Sequence, residues 1–275
     1  MNRSRFEGLE VLTKVPDGKS AVHQTPLLFI HGAYTAAWCW DEHFLPWFAA
    51  QGYFCYAPSL SGHGASRGRK HLDSFGIQDY VDDIAAAIAA LPAPPVLIGH
   101  SMGGFVVQKY LEQHQLPGAV LLCAVPPQGL MSSAFGLMFQ KPGLLNDLNN
   151  LYAPGGMLGG GSVAAETLRE ALFAQPIDEA DLQRFFRHSQ PESHRAIWDM
   201  TLFNLPHPTR IKNTPMLVLG AEFDHLIPSS LVEMTARTYG VEAEIFPGMG
   251  HGLMLERDWQ RVAERIHAWL NEREK

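Results

Sequence analysis

The chain contains 275 residues, with 21 lysines and arginines against 28 aspartates and glutamates, which gives a formal net charge of −7. This acidic balance argues against a nucleic-acid partner, because nucleic-acid binding depends on clustered positive charge. With 46% hydrophobic and 18% charged residues, the chain is expected to fold around a large core rather than remain disordered.

Targeting and metal signals are absent from the sequence. The first residues carry no apolar stretch with a small-residue cleavage site, which predicts that the protein is not secreted. The longest fully apolar runs, 84–91 and 119–125, fall well short of the roughly 18 residues that a membrane span needs. The three cysteines form no C-x-x-C pair and the histidines form no H-E-x-x-H. We therefore expect a cytoplasmic protein without a membrane span or a metal site.

The first half of the chain alternates short apolar runs with amphipathic stretches, which is typical of β-α repeats around a mainly parallel sheet. Four runs predict buried strands, at 27–31, 53–57, 96–99 and 119–124. A helix is predicted over 77–91, where apolar residues recur at spacings of three and four and form one face.

This alternation stops over 126–205. The segment is rich in Phe, Leu and Met, then in glycine over 155–161, and then shows helical patterns near 163–174 and 178–188. We interpret the glycines as a flexible connector, because no lysine follows them as a phosphate-binding loop would require. The segment as a whole is predicted to be a helical cap over the edge of the sheet that carries the site.

Strand patterns resume at 216–220 and 243–246, and an amphipathic helix closes the chain. The sequence therefore predicts an α/β core made of two parts, 1–125 and 206–275, with the cap 126–205 inserted between them.

The strongest chemical motif is Gly99-His100-Ser101-Met102-Gly103, which contains G-x-S-x-G between a predicted strand and a predicted helix. A sharp strand-to-helix turn holds the serine backbone in a strained conformation, and the flanking glycines allow neighbouring backbone to pass closely. The alternative is a serine that merely caps a helix in a glycine-rich turn. Both flanks favour Ser101 as a nucleophile at a helix N-terminus.

A serine hydroxyl needs a histidine base, and the histidine needs a carboxylate to orient it. Asp224 follows the strand predicted at 216–220, and His251 lies between glycines after the next strand, giving the order Ser, Asp, His. The alternatives are a carboxylate in a surface turn and a loop histidine. Glu222 lies two residues from Asp224 and remains open as a substitute for it.

Acyl transfer also needs amide donors for the developing oxyanion. The amide of Met102, directly after the nucleophile, is one candidate. The second is the amide of Ala33, in the His-Gly-Ala-Tyr turn that follows the first predicted strand. The sequence therefore predicts an oxyanion hole formed by Ala33 and Met102.

Six segments, in the same order along the chain, together resemble the α/β-hydrolase superfamily and its serine carboxylesterases. They are LLFIHGA (27–33), AWCW (37–40), APSLSGHGAS (57–66), IGHSMGG (98–104), LVLGAEFDHLIP (217–228) and GMGHGLMLE (248–256). The resemblance implies about eight mostly parallel strands with helices on both faces, a helical cap inserted after the sixth strand, and a triad of Ser101, Asp224 and His251.

The resemblance also leaves several branches open. AWCW is similar to a segment of plant esterases and hydroxynitrile lyases, but Gly252 stands where the lyases carry a lysine after the histidine. The serine at position 101 disfavours the branches with an aspartate nucleophile. Carbon–carbon bond hydrolases share the serine triad and remain an alternative, as does a non-catalytic receptor that uses the same pocket.

From these residues we predict a serine hydrolase that cleaves a small to medium, partly apolar ester through an acyl-enzyme and needs no cofactor. The expected partner is the small-molecule ester, and a homodimer remains open. Aromatic and methionine side chains near the oxyanion turn and in the cap are candidate substrate contacts, although such residues more often form cap core. They are Tyr34, Trp38, Phe135, Met138, Phe139 and Trp198.

Overall fold

The computed structural model describes Phe6 and residues 8–18, 22–131 and 161–273. Within these residues, seven strands form one sheet in the order β1-β3-β2-β4-β5-β6-β7. The strands are β1 (Val11–Lys14), β2 (Leu27–Ile30), β3 (Cys55–Pro58), β4 (Val96–His100), β5 (Gly118–Leu122), β6 (Met216–Ala221) and β7 (Ala243–Phe246).

The sheet is parallel except at one edge, where β1 pairs antiparallel with β3. Its order reverses at β2, because the chain first adds β3 on one side of β2 and then returns to add β4 on the other. In an open parallel sheet, the loops after two such strands diverge and leave a crevice at their carboxyl ends. The turns that follow β2 and β4 both enter this crevice.

Nine α-helices connect or extend the described strands. They are α1 (Trp38–Asp41), α2 (Phe44–Ala50), α3 (Ile77–Ala89), α4 (Met102–Leu111), α5 (Gly161–Leu172), α6 (Glu179–His188), α7 (His194–Trp198), α8 (Ser229–Thr238) and α9 (Trp259–Arg273). Short 3-10 helices lie at Arg69–Ser74 and Pro208–Arg210, and a π-helical turn, Asp199–Phe203, continues α7.

Both faces of the sheet are covered by apolar packing. Leu27 and Phe29 of β2 face a cluster that contains residues of α2 and α9, whereas Leu28 and Ile30 face a second cluster with residues of α3 and α4. All four side chains are fully buried, as expected for a strand that is covered on both sides. The predicted α/β fold, with a mostly parallel sheet and helices on both faces, is confirmed.

Two details differ from the prediction. The described sheet has seven strands instead of eight, and the edge strand β1 was not predicted, since its four residues carry only a weak apolar pattern. In the described ranges no helix is both long and apolar enough to cross a membrane. Of the segment predicted as a cap, the structure describes 126–131 and 161–205, which contain α5 to α7.

Candidate active site

The backbone of Ser101 is strained, with φ of 51° and ψ of −116° between the end of β4 and the start of α4. A residue other than glycine rarely adopts a positive φ, and such strain is often found at functional sites. A Cβ on Gly103 would overlap the carbonyl oxygens of Ile30 and His31, and one on Gly99 would lie 2.6 Å from the carbonyl oxygen of Gly103. The turn therefore has the geometry that the motif predicts, and its glycines allow the close approach of neighbouring backbone.

Backbone hydrogen bonds hold this turn in place. The Ser101 amide donates to the Leu122 carbonyl at 3.0 Å, and the Ser101 carbonyl accepts from the Val125 amide at 3.2 Å. Both partners lie at the carboxyl end of β5. The serine is thus fixed on two sides, by the helix that begins after it and by the neighbouring strand.

Asp224 and His251 form a buried hydrogen-bonded pair. His251 Nδ1 lies 2.7 Å from Asp224 Oδ2. Both residues are buried: His251 is 2% exposed and Asp224 is 4% exposed. Asp224 Oδ1 accepts from the amides of Leu226 and Ile227, each at 2.8 Å. Since its second oxygen is held by backbone, the carboxylate cannot rotate freely and fixes the imidazole ring.

Glu222, the other candidate carboxylate, faces elsewhere. Its Oε2 accepts from the Gly248 amide at 2.9 Å on the surface of the protein. Of the two carboxylates near the end of β6, Asp224 is therefore the one that bonds to His251.

Cys123 is a residue that sequence reasoning did not connect with the site. It follows β5 and has a positive φ of 42°. Its sulfur, a carboxylate oxygen of Asp224 and a ring nitrogen of His251 are buried and lie within 4.8 Å of one another. Burial, and then the neighbouring Asp224 carboxylate, raise the pKa of the Cys123 thiol well above its usual value. The raised pKa favours the protonated thiol, which can donate to the neighbouring carboxylate.

A cavity of about 480 Å³ lies over the turn, within the usual range for small-molecule pockets. Ser101, Met102 and His251 line it, as do three residues predicted from the oxyanion turn and its neighbourhood, Ala33, Tyr34 and Trp38. Most of the remaining wall is apolar: Cys39, Val125, Leu130, Leu168, Ala171, Leu172, Phe185, Ile197, Met200, Leu226, Ile227, Met254 and Leu255.

Trp198, also predicted to contact substrate, is not among the described residues that line the cavity. Its side chain is 57% exposed and its ring faces Phe203, with centroids 6.3 Å apart. Ile197 and Met200, on the other side of the same helical segment, line the cavity instead. Phe135, Met138 and Phe139, also predicted to touch substrate, lie outside the described residues.

The amides of Ala33 and Met102 stand at the cavity wall. In the part of the chain that the structure describes, neither amide donates to a protein acceptor. Met102 begins α4, so its amide also belongs to the positive end of that helix. Both residues line the cavity, and their role as an oxyanion hole stays a prediction.

Two buried histidines support the site without acting as bases. His31 Nε2 accepts from the Leu60 amide at 3.0 Å, and burial, followed by the charge of His63, lowers the pKa of His31 to about 3. His100 Nε2 donates to the carbonyl of His251 at 2.9 Å, and burial followed by His251 lowers the pKa of His100 well below its usual value. Both rings are neutral and fix the loops on which the reactive groups lie.

Comparison with known proteins finds similar sequences and similar folds. Over 248 residues, 83% of this chain and 86% of the relative, the chain is 25% identical to a non-heme haloperoxidase from Rhodococcus erythropolis. It is 32% identical to a pyrethroid hydrolase from Sphingobium wenxiniae over 103 residues, 37% of this chain and 36% of that protein. An esterase from Exiguobacterium antarcticum has a similar fold, with a TM-score of 0.72 and 18% identity over 96% of this chain and 97% of that one. A sequence model of the alpha/beta hydrolase family matches residues 27–265, and the chain therefore belongs to that family.

Proposed function

We propose that the protein is a serine hydrolase that cleaves small to medium, partly apolar carboxylic esters through an acyl-enzyme. One observation carries this proposal: Ser101, on its strained turn, and His251, hydrogen-bonded to Asp224, line the same apolar cavity. The arrangement provides a nucleophile, a base and an orienting carboxylate for acyl transfer.

In the proposed mechanism, Ser101 Oγ attacks the ester carbonyl carbon while His251 Nε2 takes the hydroxyl proton. The amides of Ala33 and Met102 donate to the oxyanion of the tetrahedral intermediate. The intermediate collapses, the carbon–oxygen bond to the alcohol breaks, and His251 returns its proton to the leaving oxygen. A water molecule then repeats the sequence on the acyl-enzyme and releases the acid.

Most residues that line the cavity are apolar, which favours an ester whose acyl or alcohol group is apolar and uncharged. Trp38 packs against Phe185 in the wall, with ring centroids 5.6 Å apart. Glu192 also lines the cavity, but its carboxylate is buried and paired with His63. The pyrethroid hydrolase among the relatives acts, by its name, on an ester of this apolar kind. We further propose that 126–205 act as the cap that closes this pocket.

A fluorophosphonate probe and a panel of p-nitrophenyl esters of increasing acyl length test the proposal. We expect covalent labelling of the wild type, loss of labelling in Ser101→Ala, and loss of ester turnover in His251→Ala. Glu222→Gln, which alters a surface carboxylate near the site, is the matched control and should retain turnover.

The alternatives give different results in the same experiments. Ligand binding without labelling or turnover in the wild type would instead support a non-catalytic receptor. Cleavage of a carbon–carbon bond, with inactivity on every ester, would support a carbon–carbon bond hydrolase.

A further inference from the structure

Glu256 joins two parts of the molecule that lie far apart in the sequence. It is 1% exposed, and its Oε1 accepts from the amides of Gly250 and Ala174, each at 2.7 Å. Its Oε2 accepts from the Gln175 amide at 3.2 Å. One buried carboxylate therefore binds both the loop that carries His251 and the segment 172–175 that follows α5.

The two backbones are also in direct contact. The Gly252 amide donates to the Leu172 carbonyl at 2.7 Å. A Cβ on Gly250 would lie 2.8 Å from both the Ala174 nitrogen and the Leu172 carbonyl oxygen. A side chain at position 250 would therefore push the segment 172–175 away, so the contact requires glycine there.

The surroundings of Glu256 act on its pKa in opposite directions. Burial raises the pKa of Glu256 above its usual value, although three amide donors act in the opposite direction, and the negative charge of Asp258 raises it further. A raised pKa means that ionising the buried group opposes folding at neutral pH. An apolar side chain at this position would leave the three amides without an acceptor.

We infer that Glu256 is a positioning residue, which fixes the His251 loop by tying it to the segment 172–175. The inference rests on the proposed role of His251 as the base. Leu172 of the same segment lines the cavity, so the segment that holds the His251 loop is also part of the cavity wall. An imidazole displaced by about 1 Å from the nucleophile can lower the rate by about 100-fold.

Glu256→Ala tests this inference in the full-length protein, with steady-state turnover of p-nitrophenyl butyrate. We expect kcat to fall by at least about 30-fold while KM changes by less than about threefold, and the pH dependence of kcat to shift. Glu256→Gln keeps a carbonyl oxygen at the position of Oε1, so it should restore kcat to within about fivefold of the wild type. A general loss of folding would lower the active fraction without shifting the pH profile.

Asp258→Ala is the matched control. Asp258 Oδ2 accepts from the Gln175 side chain at 2.9 Å, so this variant loosens the same segment, and Asp258 makes no hydrogen bond to Gly250 or to the His251 side chain. We expect kcat within about twofold of the wild type. If Asp258→Ala and Glu256→Ala lose the same activity, anchoring of the segment 172–175 explains both and the inference is wrong.

Two further outcomes decide the matter. If Glu256→Ala does not fold, the experiment uses Glu256→Asp. The aspartate side chain is one methylene shorter, so its carboxylate does not reach the Gly250 amide. An unchanged kcat in Glu256→Asp overturns the inference. Failure of the proposed function is distinguishable, since it would appear as normal ester turnover in His251→Ala, or as no ester turnover in the wild type, whatever Glu256 does.

Discussion

His63 and Glu192 form a fully buried pair, with Nε2 and Oε2 2.9 Å apart although 129 residues separate them. Glu192 Oε1 also accepts from the Tyr80 hydroxyl at 2.7 Å and from the Ser193 amide at 2.8 Å. Burial alone would lower the pKa of His63, but the charge and hydrogen bond of Glu192 raise it above its usual value. Burial would raise the pKa of Glu192, but the charge of His63 and these hydrogen bonds lower it. Both shifts favour the ionised form of the pair, which ties the loop after β3 to the chain between α6 and α7.

Glu192→Gln should lower the free energy of unfolding by about 3–5 kcal/mol, because it leaves the buried His63 without its countercharge. Chemical denaturation at neutral pH measures this change. Glu166→Gln is a suitable control, since Glu166 pairs with Arg169 on the surface, where ion pairs contribute little. Equal midpoints for Glu192→Gln and the wild type would show that the buried pair contributes no stability.

The contribution of this pair should depend on pH. Because the pKa of His63 is raised by folding above its usual 6.5, its stabilisation is complete below that value and is lost as the pH rises through the folded pKa. Because the pKa of Glu192 is lowered, its own stabilisation is lost as the pH falls through the folded value. We expect the difference in unfolding free energy between wild type and Glu192→Gln to be larger at about pH 6.5 than at about pH 9. A difference that stays constant between these two conditions would contradict this account.

Asp224→Asn should lower kcat by about 10³- to 10⁴-fold with a small change in KM, because a neutral amide no longer holds the His251 tautomer or stabilises the imidazolium. Steady-state kinetics on a p-nitrophenyl ester measure the loss. Glu222→Gln, which touches the Gly248 amide instead of His251, should remain within about twofold of the wild type. If the two variants exchanged these effects, Glu222 would be the orienting carboxylate.

Trp38→Ala should raise KM for an apolar ester by about tenfold, because the indole lines the cavity beside Phe185 and its removal leaves apolar substrate in contact with water. Trp198→Ala provides a matched control of the same size change. Its ring is exposed and lies outside the cavity lining, so KM should change by less than about twofold. Equal increases in the two variants would place the ester on the outer face of α7.

Much of the fold and part of the site follow from local sequence. The sequence predicts the strands from β2 onward, the amphipathic helices and the strained turn at Ser101. It does so because apolar spacing and the steric demands of a tight turn act over a few neighbouring residues. The order of Ser101, Asp224 and His251 also follows from the strand pattern, since parallel strands bring their carboxyl ends to one edge.

The remaining features depend on contacts that no local pattern contains. Glu192 meets His63, Glu256 meets Ala174, and Cys123 lies against Asp224 only because separate segments pack together. The position of Trp198 has the same origin, since the sequence does not show which residues near the end of α7 face the cavity; Ile197 and Met200 line it, whereas Trp198 does not. Sequence determined which chemical groups are present and at which edge of the sheet they lie. Tertiary packing decided which of them meet, because a buried polar group is stable only where a distant partner satisfies it.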